Sequence, residues 1–209
     1  MESVARGGTR WKRFAVVMVP SVAATAAIGV ALSQGALAAS FNVSGQQFKV
    51  TAKKLEGQGF VQYGALDNTA KGKKPVAVVG LETAQITELC QSVVVPVPVF
   101  GDVSMNLTAG GGDTKVDAKK LYIDADDLSA NATFTNIDIG VSIDSTTKGP
   151  GPAKPGKDGQ GAYAPGSFAQ QAEKVEFTDV KQRAWATTAG TFKLPGLSMQ
   201  VKKGKHECY

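Results

Sequence analysis

Few side chains in this 209-residue chain are placed to do chemistry. There is one histidine, His206, and a hydrolase built on serine, histidine and an acid needs a base within reach of its nucleophile. Ser33 lies in Ala31-Leu32-Ser33-Gln34-Gly35, the nearest approach to the Gly-x-Ser-x-Gly turn of an esterase, but inside a stretch that reads as an export signal. Ser198, in Gly196-Leu197-Ser198-Met199-Gln200, lacks the second glycine and sits in a strand pattern. Ser198 and His206 therefore read as a surface serine and a surface histidine, and no catalytic residue is assigned.

Asp124, Asp126 and Asp127 could offer oxygen ligands to calcium. A calcium-hand loop starting at Asp124 needs glycine at its sixth place and glutamate at its twelfth, where Ser129 and Thr135 stand. The expectation is a solvated turn between strands. One histidine and two cysteines cannot complete a tetrahedral zinc set. Gly110-Gly111-Gly112-Asp113 is not followed by the Lys-Ser/Thr of a phosphate cradle and reads as a turn. No metal and no cofactor are expected.

Cys90 and Cys208 are the only cysteines, so one intramolecular pairing exists, and in an oxidising compartment it is expected to form. In the loop-entropy picture such a bond stabilises by up to about 4–5 kcal/mol.

The elements that would position these residues begin with the N-terminus. Arg6, Arg10, Lys12 and Arg13 precede an uncharged run from Ala15 to Leu32, and Ala36-Leu37-Ala38 supplies the small residues of a signal-peptidase site. Residues 1–38 are read as a signal peptide cut after Ala38 or Ala39. The run is long for a signal core and approaches the length of a membrane span, so retention as an uncleaved anchor stays open. The signal holds four basic residues and one acid, so the basic character of the whole chain is largely its own. No nucleic-acid partner is inferred.

Residues 39–209 are expected to form one exported β-rich domain. Alternation is plain in Val103–Leu107, Ile137–Ile143 and Leu197–Val201, and helical periodicity is scarce. Once the Gly/Pro-rich stretch 148–166 is set aside as an insertion, two markers recur at a period near 35: Gly101-Asp102-Val103-Ser104-Met105, Gly140-Val141-Ser142-Ile143 and Gly196-Leu197-Ser198-Met199; and Ala52-Lys53-Lys54-Leu55, Ala84-Gln85-Ile86, Ala118-Lys119-Lys120-Leu121 and Ala172-Glu173-Lys174-Val175. The fold class is all-β, a single repetitive domain like a β-solenoid or an irregular meander, with a two-sheet β-sandwich as the alternative. The Gly/Pro-rich stretch 148–166 breaks the Gly-x-x triplet that collagen requires and reads as a mobile loop. Thr69 to Pro75 reads as a second, smaller exposed loop. Trp185, Phe177, Phe192, Phe168 and Tyr163 are mostly core. An apolar face left uncovered by the alternation would mark a lipid or membrane-protein contact.

The opening Met-Glu-Ser-Val-Ala-Arg-Gly-Gly-Thr-Arg-Trp-Lys-Arg-Phe-Ala, the junction Ala38-Ala39-Ser40-Phe41-Asn42-Val43-Ser44-Gly45, Leu89-Cys90-Gln91-Ser92 and Cys208 resemble a family of small exported proteins of unknown function from filamentous high-GC Gram-positive bacteria. Some members of that family carry an automatic cholesterol esterase label. The resemblance implies a gene neighbour encoding a small multi-pass membrane protein, hence a membrane-protein partner, while the expectation of a lipid partner rests on an uncovered apolar face. The expected function is that of an exported, non-catalytic cell-envelope protein, structural or lipid-binding, with a lipid or sterol ester hydrolase as the alternative. The oligomeric state is left open.

Overall fold

The computed structural model describes residues 45–69, 72–152 and 163–209. The expected signal and its cleavage residues Ala36, Ala38 and Ala39 lie outside these. The described chain is all-β, a single antiparallel sheet of seven strands: β1 (Phe48–Thr69), β2 (Gly72–Thr87), β3 (Leu89–Val97), β4 (Gly101–Ala109), β5 (Val116–Ser142), β6 (Phe168–Lys193) and β7 (Ser198–Lys203).

The seven strands behave as four long runs. Lys54 pairs with Thr87 and Thr51 with Cys90, three steps along both chains, so β2 and β3 are one strand interrupted at Glu88. There the backbone turns through φ 53. β4 and β5 are likewise joined across Gly110–Lys115, and β6 and β7 across Leu194–Leu197. The runs go up and down as a meander, and the start of β1 closes it, because Phe48–Ala52 also pair with Val180–Ala184 of β6. β1, β2, β5 and β6 thus form a ring, and β3, β4 and β7 continue beyond it as an arm. Of the expected architectures the meander is the one observed; all pairings are antiparallel, without the parallel stacking of a solenoid coil.

The Ala-x-x-Leu marker has a structural meaning. Ala52 and Leu55, Ala84 and Ile86, Ala118 and Leu121, and Ala172 and Val175 all face the main core, one pair from each ring strand. Ala84 and Ile86, two apart, share a face by plain alternation, but the other three pairs are three apart, and residues three apart on a regular strand point to opposite faces. Both turn inward only if the strand slips half a step between them, as at Lys120 with φ 49. Such irregularities bend strands and let a sheet close. Small residues suit the crowded interior: a Cβ on Gly57 would lie 2.6 Å from Leu81 Cδ2. Phe60, Phe134 and Phe177 fill the ring with edge and tilted ring contacts.

A second, smaller core lies on the outer face, where Val61, Tyr63, Ala65, Val76 and Val78 pack with Ile143 and Ala169. The chain leaving β5 covers it, through a 3₁₀ turn at Ile143–Ser145 and then Gly149-Pro150. Gln171 Oε1 accepts hydrogen bonds from the Thr147 and Lys148 amides, at 2.7 and 2.9 Å. A Cβ on Gly149 would meet Val61 Cβ at 2.8 Å and the Phe60 carbonyl carbon at 3.0 Å, so glycine lets this segment lie flat on β1. In the Gly/Pro-rich stretch, the described residues next to β5 are therefore held by specific contacts.

The described residues of the expected second loop, Thr69 and Gly72–Pro75, belong to strands, although they are largely exposed. β1 runs to Thr69 and β2 starts at Gly72, and Thr69 Oγ1 donates to the Gly72 carbonyl at 2.8 Å. Lys73, Lys74 and Pro75 are strand residues, because the hairpin pairs almost to its tip.

Candidate docking surface

The two faces of the arm differ in what covers them. Directly paired residues share a face, which places Cys90, Ser92, Ser104, Asn106 and Thr108 on one side. The C-terminal tail lies over that side. The Ser104 hydroxyl donates to the Gly204 carbonyl at 2.6 Å and accepts from the His206 amide at 2.8 Å, while Ser92 Oγ accepts from the Cys208 amide at 3.0 Å. Both serines are fully buried. A Cys90–Cys208 disulfide fixes the tail, and Lys49 Nζ reaches Glu207 at 3.0 Å and the Tyr209 carbonyl at 3.1 Å.

The opposite face is mostly apolar; Phe48, Val50 and Leu107 pack partly against the main core, and no described residue covers the outer part. Its first cross-strand row is Phe48, Val93, Met105 and Val201; the second is Val50, Gln91, Leu107 and Met199; the third is Val95, Val103 and Lys203. Met105, Met199 and Val201 are 42%, 61% and 64% exposed, large values for side chains of this size in a sheet. Leu197, at 49%, and the hairpin tip with Val97, Val99 and Phe100 extend the patch. A contiguous exposed surface of this kind marks an interaction site far more often than scattered apolar residues do.

The second row leads into the ring. Val50, Gln91, Val180, Leu121 and Phe192 line an apolar cavity of about 40 Å³. Sites for drug-sized ligands occupy about 300–1,000 Å³, so the interior of the ring is packed core. Apolar binding capacity lies on the surface of the arm.

A different chemical feature lies on the outer face of the ring. Asp67 is fully buried and neither of its carboxylate oxygens receives a hydrogen bond. The Asp124 carboxyl adjoins it. Burial, with the Asp67 charge beside it, pushes the Asp124 carboxyl up to about 8, and burial raises Asp67 as well. At neutral pH one proton is therefore held between two carboxyls that cannot both ionise cheaply. That proton supplies the donor Asp67 otherwise lacks.

Sequence-based expectations fare unevenly at these sites. Asp124, Asp126 and Asp127 do not form a solvated turn; all three lie within β5, whose length hides them from local pattern reading. They diverge: Asp124 meets Asp67, whereas Asp126 accepts hydrogen bonds from Arg183 Nε at 2.8 Å and from Gln47. Among the described residues no cluster of three or more metal-ligating side chains occurs. Ser198 is exposed on β7, paired with Thr108. The His206 imidazole lies 3.1 Å from the Lys203 carbonyl, and the serine that engages residue 206, through its amide, is Ser104. Gly110–Asp113 is a turn, with the Thr114 amide donating to the Gly111 carbonyl. Phe177 is core and Trp185 and Tyr163 pack on the outer core, but Phe168 is 61% exposed. Sequence reasoning misses Asp67, since nothing local distinguishes it from a strand-surface aspartate.

A disulfide is compatible with an extracellular location, and among the described residues no helix is long and apolar enough to cross a membrane. Neither a curated protein nor a solved structure matches the chain. A family model does, over residues 44–209, which contain every described residue, and the chain belongs to the family of unknown function DUF6230.

Proposed function

We propose that this chain is an exported, non-catalytic protein of the cell envelope that works by docking the uncovered apolar face of its arm against a membrane or a protein embedded in one. The observation that carries the reading is the asymmetry of the arm: one face is capped by the tail and stapled by Cys90–Cys208, while the other presents Met105, Met199 and Val201 to solvent. Leaving such a face open is unfavourable in water by roughly 25 cal/mol per Å² of apolar area, so it is a surface to be covered. The signal-like residues 1–38 support export, and the resemblance to exported proteins encoded beside a multi-pass membrane protein supports a membrane-side partner.

Fractionation of cells making the full-length protein tests this. Wild type is expected with the membranes, and Met105→Lys with Val201→Lys is expected to move it into the soluble fraction without loss of the disulfide. An unchanged distribution would remove the docking role of the face. The hydrolase reading is addressed by assaying sterol and short-chain esters with wild type and Ser198→Ala; turnover abolished by that substitution would replace the non-catalytic reading.

A further inference from the structure

The β3–β4 turn is built against local preference. The Phe100 amide donates to the Val97 carbonyl at 3.1 Å, and Pro98 and Val99 occupy the two central positions. Val99 has φ 69. With proline at the second position and positive φ at the third, this is the pattern of a type II turn, whose third position calls for glycine or asparagine. A β-branched residue there is a backbone outlier. Its side chain gains nothing from the protein in return, since Val99 is 110% exposed, and Phe100 beside it is 58% exposed. A strained, fully projecting valine next to a projecting phenylalanine is explained by an apolar medium outside the chain.

The charges around the tip indicate which medium. Lys203 Nζ stands 5.1 Å over the Phe100 ring, Lys202 follows on the edge strand, and Lys205 lies 3.7 Å from Asp102 with its side chain 70% exposed. Lys203 pairs with Val103 on the open face and Lys202 with Ser104 on the other, so lysines stand on both faces of the edge strand beside one acid, Asp102. An apolar wedge collared by lysines is the arrangement that places side chains among acyl chains and ammonium groups at the level of acidic headgroups. Each such lysine adds attraction to an anionic surface that salt screens.

We propose that the Val97–Phe100 turn is a membrane wedge that inserts into the surface of an anionic bilayer, with Lys202, Lys203 and Lys205 on the lipid headgroups. The proposal rests on the docking reading above and names its partner as lipid.

The test uses full-length Phe100→Trp protein on vesicles of phosphatidylglycerol and phosphatidylcholine, with wild type subtracted to remove the native tryptophans. Fluorescence of the introduced indole is expected to be quenched by brominated acyl chains on the anionic vesicles, and to lose that quenching at high salt or on pure phosphatidylcholine. No quenching on anionic vesicles overturns the wedge, and so does equal quenching at high salt. Val99→Gly separates binding from folding: glycine relieves the backbone, so its Tm is expected to rise while vesicle affinity in the same assay falls by about tenfold. An unchanged affinity overturns the proposal. If tip variants bind as wild type while Met105→Lys with Val201→Lys still releases the protein from cell membranes, the face docks on a protein and only the wedge fails. If neither set changes localisation, the docking reading fails with it.

Discussion

Asp67 and Asp124 set how the fold responds to pH. In the unfolded chain an aspartate titrates near ~3.9, whereas folded Asp124 keeps its proton to about 8. A group whose folded value lies above its unfolded value favours the fold while protonated, so its contribution is full at acid pH and is lost as pH rises through about 8. Glu56 and Asp138 act oppositely. Hydrogen bonds from Lys115 and Lys148 hold their carboxyls low, so what they contribute is lost only on acidification below the ordinary carboxylate range. The two windows separate. Denaturant unfolding at neutral and alkaline pH is expected to show wild type losing stability with rising pH and Asp67→Asn losing much less, with the variant ahead by about 1–3 kcal/mol at the alkaline end. Parallel profiles would show that the carboxyls do not share a proton. Also at this scale, Gly149→Ala is expected to cost about 1–3 kcal/mol by overpacking against Val61 and the β1 backbone. Thermal unfolding checks it, and a neutral result would mean that the segment lifts freely.

Among the elements, alternation in the sequence locates β4, the end of β5 and β7, because each carries polar and apolar residues in strict turn. It also supplies the apolar rows of the arm, since Val103, Met105, Leu107, Met199 and Val201 are the alternating residues themselves. What alternation cannot show is which face a neighbouring segment covers; residues 204–209 have no periodicity, and their place over Ser92 and Ser104 comes from the disulfide and three hydrogen bonds. The predicted effect of Cys90→Ser with Cys208→Ser is accordingly local as well as global. Stability is expected to fall by up to about 4–5 kcal/mol, and in hydrogen exchange the backbone amides at positions 206 and 208 should lose protection well before those of β2 and β5. Uniform loss across the chain would show that the tail is not a separable element.

The whole molecule is the least legible from sequence. Hairpins such as β1–β2 and β3–β4 are local, but ring closure joins Phe48–Ala52 to Val180–Ala184, segments whose residues carry no mark of one another. The period near 35 is a trace of one inward-facing pair on each ring strand, and it suggests stacking units where the chain instead folds back antiparallel. The carboxyl pair is hidden for the same reason, since β2 separates the strands that bear Asp67 and Asp124. The staple between Cys90 and Cys208 spans 118 residues, and chains are made from the N-terminus, so β3 and every later strand precede the residue that caps the arm. Capping therefore comes late and only where thiols oxidise. A chain held in a reducing compartment keeps a looser tail over Ser92 and Ser104, so completion of the fold itself registers the redox state of its surroundings.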